Sequence, residues 1–155
     1  SFRLEKKFFG RIASTNLEGR EIRLLIPETY MNDSGKSVGA LTNFFKIKPS
    51  QVLVAHDEVD FPAGKVRLKD GGGLAGHNGL RDVSNKWSGS LDFKRLRIGV
   101  GHPGASKGVV RHVLGKMPVS EKKLIDESIS VAQNLVPKLI RGCWQEAMEE
   151  LHRAC

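Results

Sequence analysis

Residues 56–60 read HDEVD, one imidazole and three carboxylates within five positions. A carboxylate at the mouth of a strand can orient and polarise a histidine brought in by another loop. Two readings compete with that one: a solvated turn closing a strand, and a divalent-cation site built from Asp57, Glu58 and Asp60. The spacing does not follow an EF-hand loop, and the chain has no His-x-x-x-His pair. His56 leaves its strand on the face opposite Asp57, so it serves equally well as a packed structural histidine.

Residues 71–82, GGGLAGHNGLRD, spend backbone order heavily, and glycine runs of this kind mark tight bends or close approach to main chain. A phosphate cradle at a helix start is one reading. The Gly-Lys-Ser/Thr of a Walker loop is absent, and G-x-G-x-x-G matches by chance in any glycine-rich run. Gly76-His77-Asn78-Gly79 is more specific: it sets a carboxamide, both donor and acceptor, in a loop thin enough for an extended, peptide-like substrate to pass. In TYMNDSG, residues 29–35, Asn32 either caps a helix with Tyr30 and Met31 packed in the core, or joins an adaptable Met31 in walling a cleft. Lys65, Arg67, Lys69, Arg95, Arg97, Lys107 and Arg111 form either a solvated face or a phosphate track, and their clustering on two neighbouring strands and one loop favours the track.

These groups must be positioned by alternating strands and helices. Residues 7–15 and 20–26 are β-type runs joined by NLEG, a hairpin with Gly19 in the turn. Val38, Leu41 and Phe45 recur at helical spacing behind Asn32, Asp33 and Ser34, all good caps, and Pro49 closes the segment. QVLVAH, 51–56, reads as a strand buried on both faces and central in a sheet. GKVRLK, 64–69, alternates strictly, with Val66 and Leu68 on one face and the cations on the other. LRDVSNKW reads as a short helix and FKRLRIGVG, 93–101, as a strand. From Ser120 an apolar stripe of Leu124, Ile125, Ile129, Ala132, Val136 and Leu139 is helical and interrupted by Pro137; a last helix carries Trp144, Met148 and Leu151. The expectation is a single-domain α/β/α layered fold with a mixed, mostly parallel central sheet, its working loops gathered at one sheet edge.

Bulk composition bounds the function class. The 155 residues suffice for one domain with a core of its own. No apolar run approaches a membrane span, and neither a signal segment nor a repeat stands out. Cys143 and Cys155 fit no disulfide framework or metal spacing and read as reduced cytoplasmic thiols. A net charge of +8 and a pI of 9.7 favour a polyanionic partner, nucleic acid before membrane.

PETYMNDSGKSV, HDEVDFPAGKVRLKDGGGLAGHNGLRD and FKRLRIGVGHPG, in this order and spacing, resemble the bacterial-type peptidyl-tRNA hydrolase family from Phe8 to Leu151. The resemblance implies an esterase that frees tRNA from its peptide, without metal, cofactor or covalent intermediate, as a monomer acting on the acceptor stem and peptide of peptidyl-tRNA. It matches Asp57 to the orienting acid, Asn32 and Asn78 to the carboxamides that position substrate and water, Met31 and His77 to their neighbours, with Tyr30 beside them. It matches Lys69 and Arg97 to cations that meet tRNA, with the basic residue after the GHPG turn shifted to Lys107. The family's opening strand, its G-x-G-N-P-G loop and the T-R-H-N segment with the base histidine have no counterpart, a shortfall of roughly 30 residues or more. None of His56, His77, His102, His112 and His152 takes the base's place, so the expectation is a chain that binds substrate, turns it over poorly alone and is less stable than the whole. Leu74 and Ala75 replace the usual His-Gly, and Ala75 is expected to stiffen the glycine loop. A non-catalytic RNA-binding protein of the same fold is the alternative, and a nucleotide-binding Rossmann domain rests on glycine alone.

Overall fold

The computed structural model describes residues 1–74, 76–101 and 118–155, with Asn32 as backbone only. Contacts gather into two units, Ser1–Val52 with Asp70–Lys94 and Leu53–Lys69 with Arg95–Cys155.

In the first unit, Arg3–Glu5 (β1), Gly10–Leu17 (β2) and Arg20–Pro27 (β3) form an antiparallel sheet in that order. Glu18 and Gly19 both take positive φ, 53° and 74°, the geometry whose twist matches the flanking strands of a two-residue hairpin. The run 7–15 is not one strand. A 3₁₀ turn spans Lys6–Phe8, and Phe9, at φ 52°, reverses the chain before β2. Next come a 3₁₀ turn at Met31–Asp33, the helix Ser34–Phe44 (α1) and the helix Asn78–Lys86 (α2). Buried Phe8, Leu41, Leu80, Val83 and Phe93 supply the core, and Phe8, Phe44 and Phe45 stack with centroids 4.9–5.8 Å apart.

The second sheet holds Leu53–Glu58 (β4), Val66–Asp70 (β5) and Lys94–Gly99 (β6) in the order β4-β6-β5. Bonds from Lys94 N to Val52 O (2.9 Å) and Val100 N to Glu58 O (3.1 Å) advance together, so β4 and β6 are parallel. Bonds from Gly99 N to Lys65 O (2.9 Å) and Gly71 N to Phe93 O (3.0 Å) run oppositely, so β5 and β6 are antiparallel. The sheet is mixed, in an α/β fold. QVLVAH is not its centre, however. Among the described residues β4 is an edge strand, with Leu53 42% exposed, and β6 pairs on both sides. An apolar run reports what a strand can bury; its neighbours decide what it does bury.

Val119–Asn134 (α3), Val136–Ile140 (α4) and Trp144–Ala154 (α5) cover one face of this sheet. Pro137 lies in the first turn of α4, where a missing N–H costs nothing, so the interrupted stripe becomes two helices. The alternation in GKVRLK holds. Val66 (0% exposed) and Leu68 (5%) pack with Ala132, Leu135, Ala147 and Leu151, joined by Leu96 and Ile98 of β6.

The outer edge of β5 is closed by α5. Leu68 N donates to His152 Nε2 at 3.1 Å, and Arg67 Nη1 to the Cys155 carbonyl at 2.9 Å. Burial first, then the charges of Arg67 and Lys65, hold His152 below its ordinary value of 6.5. The unfolded chain therefore takes up this proton first as pH falls. The stability it confers is complete above the unfolded value and is lost on acidification. The melting temperature is expected to fall between about pH 7 and about pH 5. His152→Gln, which does not titrate, should flatten that slope; an unaltered slope in the variant would reject the latch.

Candidate active site

Two of the expected site segments meet within the first unit. A Cβ on Gly79 would lie 2.7 Å from Met31 Sδ and 3.0 Å from His77 Cε1, so the thioether and the imidazole sit close against the backbone at this helix start. The Met31–Asp33 turn, with Asn32 at its middle, is thereby seated on the first turn of α2, whose first residue is Asn78. Asn78 is exposed, Met31 is 53% and Tyr30 82% exposed. A core role for Tyr30 and Met31 is therefore excluded, and both stand where a ligand can reach them.

The capping expected of TYMNDSG takes another form. Asp33 occupies the N-cap position of α1, yet its side chain makes no cap bond. Ser34 Oγ instead donates to the Met31 carbonyl at 2.7 Å, closing the turn, and the N–H of Gly35 donates to Asp82 Oδ2 of α2 at 2.6 Å. The carboxylate that satisfies α1 is thus supplied from 47 positions away.

His77, expected to face substrate, is the N-cap of α2: its Nδ1 accepts from Leu80 N at 3.1 Å. That bond makes Nδ1 the unprotonated nitrogen. In the loop before it, Gly71, Gly72 and Gly76 have φ of 70°, 90° and 73°, left-handed values that side chains rarely adopt. Among the described residues, nothing lies within 4 Å of where a Cβ on Gly73 or Gly76 would point. Ala75 lies outside the described residues.

In the second unit Asp57 is the penultimate residue of β4 and is half-buried; its carbonyl accepts from His56 Nδ1 at 2.8 Å. A carbonyl only accepts, so His56 carries its proton on Nδ1. With His152 Nε2 accepting from Leu68, each of the three described histidines has a ring nitrogen committed to local structure.

The residue beside Asp57 carries a role that the cation-site reading of HDEVD does not assign. Glu58 is 4% exposed and accepts from Arg97 Nε (3.0 Å) and Nη2 (2.7 Å) on one oxygen, while its other oxygen takes the Asp60 N–H at 3.3 Å. Arg97 also lies 4.4 Å over the Phe61 ring, which Lys65 approaches at 4.7 Å. Arg97 is thus paired with Glu58 and keeps 21% of its side chain exposed. Arg95 departs further from the expectation: it is 1% exposed, and burial, then the charge of Arg97, lowers it from its ordinary value. The end bonds of β5 and β6 set Arg97 opposite Arg67 and Arg95 opposite Lys69, which explains why an acid is needed on this face. Lys69 is half-buried. Lys107, Arg111, His102 and His112 lie outside the described residues. Among the described residues no three acids, histidines or cysteines converge as a cation site.

The sequence matches the peptidyl-tRNA hydrolase family over residues 1–155. It is 51% identical over 152 residues to a peptidyl-tRNA hydrolase of Proteus mirabilis, covering 98% of this chain and 78% of that protein. A Pseudomonas paraeruginosa peptidyl-tRNA hydrolase is 50% identical over 148 residues, 96% of this chain and 76% of its own length. The crystal structure of peptidyl-tRNA hydrolase from Acinetobacter baumannii superposes with a TM-score of 0.93 at 45% identity, over 98% of this chain and 76% of that one. A family match that begins at residue 1 lends no support to the expected shortfall of an opening unit. On this evidence the chain belongs to the peptidyl-tRNA hydrolase family.

Proposed function

We propose that this protein hydrolyses peptidyl-tRNA, cleaving the ester between the peptide's terminal carboxyl and the tRNA ribose. The observation that carries this reading is family membership along the whole chain, at about half identity to enzymes of that name. In the reaction, water oxygen bonds to the carbonyl carbon while a general base takes its proton. The carbonyl oxygen gathers negative charge; the bond to the ribose oxygen then breaks, and that oxygen takes a proton. Such a step needs a base near neutral pKa, an acid to orient it and donors for the oxyanion.

The orienting acid in this scheme is Asp57. Asn32 and Asn78 are the carboxamides, able to donate to the oxyanion and accept from water or from a peptide N–H. Exposed Tyr30 and Met31 offer apolar contact that does not read peptide sequence, and Lys69 meets tRNA phosphate. Arg97 acts indirectly, through Glu58. His77 shapes the start of α2 rather than touching the ester. The family resemblance assigns the base's role to none of His56, His77 and His152.

Release of free tRNA from peptidyl-tRNA by the protein tests the activity, and its absence would end the reading.

A further inference from the structure

The two carboxamides assigned above ride on separate elements, so something must fix their separation. α1 and α2 pack side by side and parallel, meeting at Gly35 with Asp82, Gly39 with Lys86 and Thr42 with Trp87. A Cβ on Gly35 would lie 2.3 Å from the Asp82 carbonyl oxygen and 2.6 Å from its carbon; one on Gly39 would lie 3.2 Å from the Lys86 stem. Gly35 and Gly39 are four apart, as are Asp82 and Lys86, and Asp82 is itself four beyond Asn78. One helical face thus carries Asn78 and the residues that grip α1.

The positive N-terminal end of a helix is stabilised by an anion held against its first N–H groups. At α1 the Asp82 carboxylate takes that place, bonded at 2.6 Å to the N–H of Gly35, the residue after Ser34, whose Oγ closes the turn bearing Asn32.

We propose that Asp82 is a positioning residue for the hydrolysis: with Gly35 it locks the Asn32 turn to the Asn78 helix and so sets the spacing of the two carboxamides. This inference rests on the roles given to Asn32 and Asn78. It uses no contact of Asp82 with substrate.

The test compares Asp82→Ala with Asp82→Asn in the full-length protein, well below the melting temperature of each. Asp82→Asn keeps an oxygen that accepts from Gly35 N; Asp82→Ala keeps none. Because displacements near 1 Å cost on the order of 100-fold, Asp82→Ala should lower kcat about tenfold or more with KM nearly unchanged, and Asp82→Asn should restore most of it. Asn78→Ala should then cost less in the Asp82→Ala background than in wild type, the mark of coupled positions. Equal kcat in folded Asp82→Ala, or a fall in melting temperature alone, overturns the proposal. The lock also has a readout without turnover: the side-chain amide resonances of Asn32 and Asn78 should shift in Asp82→Ala and hold in Asp82→Asn, and unmoved resonances overturn it as well. A wild-type protein that releases no tRNA counts against the hydrolase reading, and the resonances then decide the lock by themselves.

Discussion

Replacing Glu58 by alanine is expected to lower the free energy of unfolding by about 3 kcal/mol, the low end of the range for breaking a buried ion pair. The carboxylate is 4% exposed and takes two guanidinium N–H groups of Arg97 on a single oxygen. The guanidinium side of the pair is 21% exposed, and water reaching it softens the loss below that of a fully enclosed pair. What raises the cost is the neighbourhood. Arg67 faces Arg97 across the strand pair, and buried Arg95 already feels the Arg97 charge. Without Glu58 this face of the sheet holds cations with one compensating acid fewer. Urea unfolding of the variant measures the effect as a shift in midpoint at constant slope. A change below about 1 kcal/mol would class the pair with ordinary surface bridges. Arg97→Met alone should cost less than Glu58→Ala, because it removes a cation from a row of cations. The double variant should recover part of the Glu58→Ala loss.

Local pattern accounts for what was legible in the sequence. The Glu18-Gly19 hairpin, the alternation of Val66 and Leu68 against their basic neighbours, and the helices of the last forty or so residues follow from turn chemistry and periodicity within a few positions. What misled was whatever depends on partners distant in the chain. QVLVAH looks central because it is apolar, yet β6, carrying two arginines, sits between the other strands. Arg95 reads as surface charge until burial makes it part of the interior. Asp82 reads in the sequence as no more than the end of a glycine-rich run, since nothing local announces that it caps a helix 47 positions back. One signal was available: Gly35 and Gly39 at helical spacing mark a close helix contact, and Asp82 stands at the same spacing from Asn78. Glu58 had a comparable signal, an acid at a strand end in a chain whose nearby strands carry cations on alternate positions.

Asp57→Asn is expected to do the reverse of Glu58→Ala: kcat falls by about 10²–10⁴-fold while fold and KM are kept. The substitution preserves volume, and the bond from His56 reaches the backbone carbonyl of Asp57, which the change does not touch. On the role proposed for Asp57, what is lost is the negative charge that favours imidazolium formation and holds one tautomer of the base, a contribution made as the proton moves rather than when substrate binds. The asparagine offers an N–H where an acceptor is needed, so the base is turned or left in the wrong tautomer. Neighbouring side chains on one strand end would then carry opposite signatures: Glu58 governs whether the sheet face is stable, and Asp57 governs how fast the ester is cut. Single-turnover release of tRNA, measured with urea unfolding on the same preparations, separates them. Asp57→Asn retaining kcat within about threefold would remove Asp57 from the reaction, since even modest general-base assistance exceeds that factor. A loss of stability equal to that of Glu58→Ala would instead make Asp57 part of the charge-balancing scaffold.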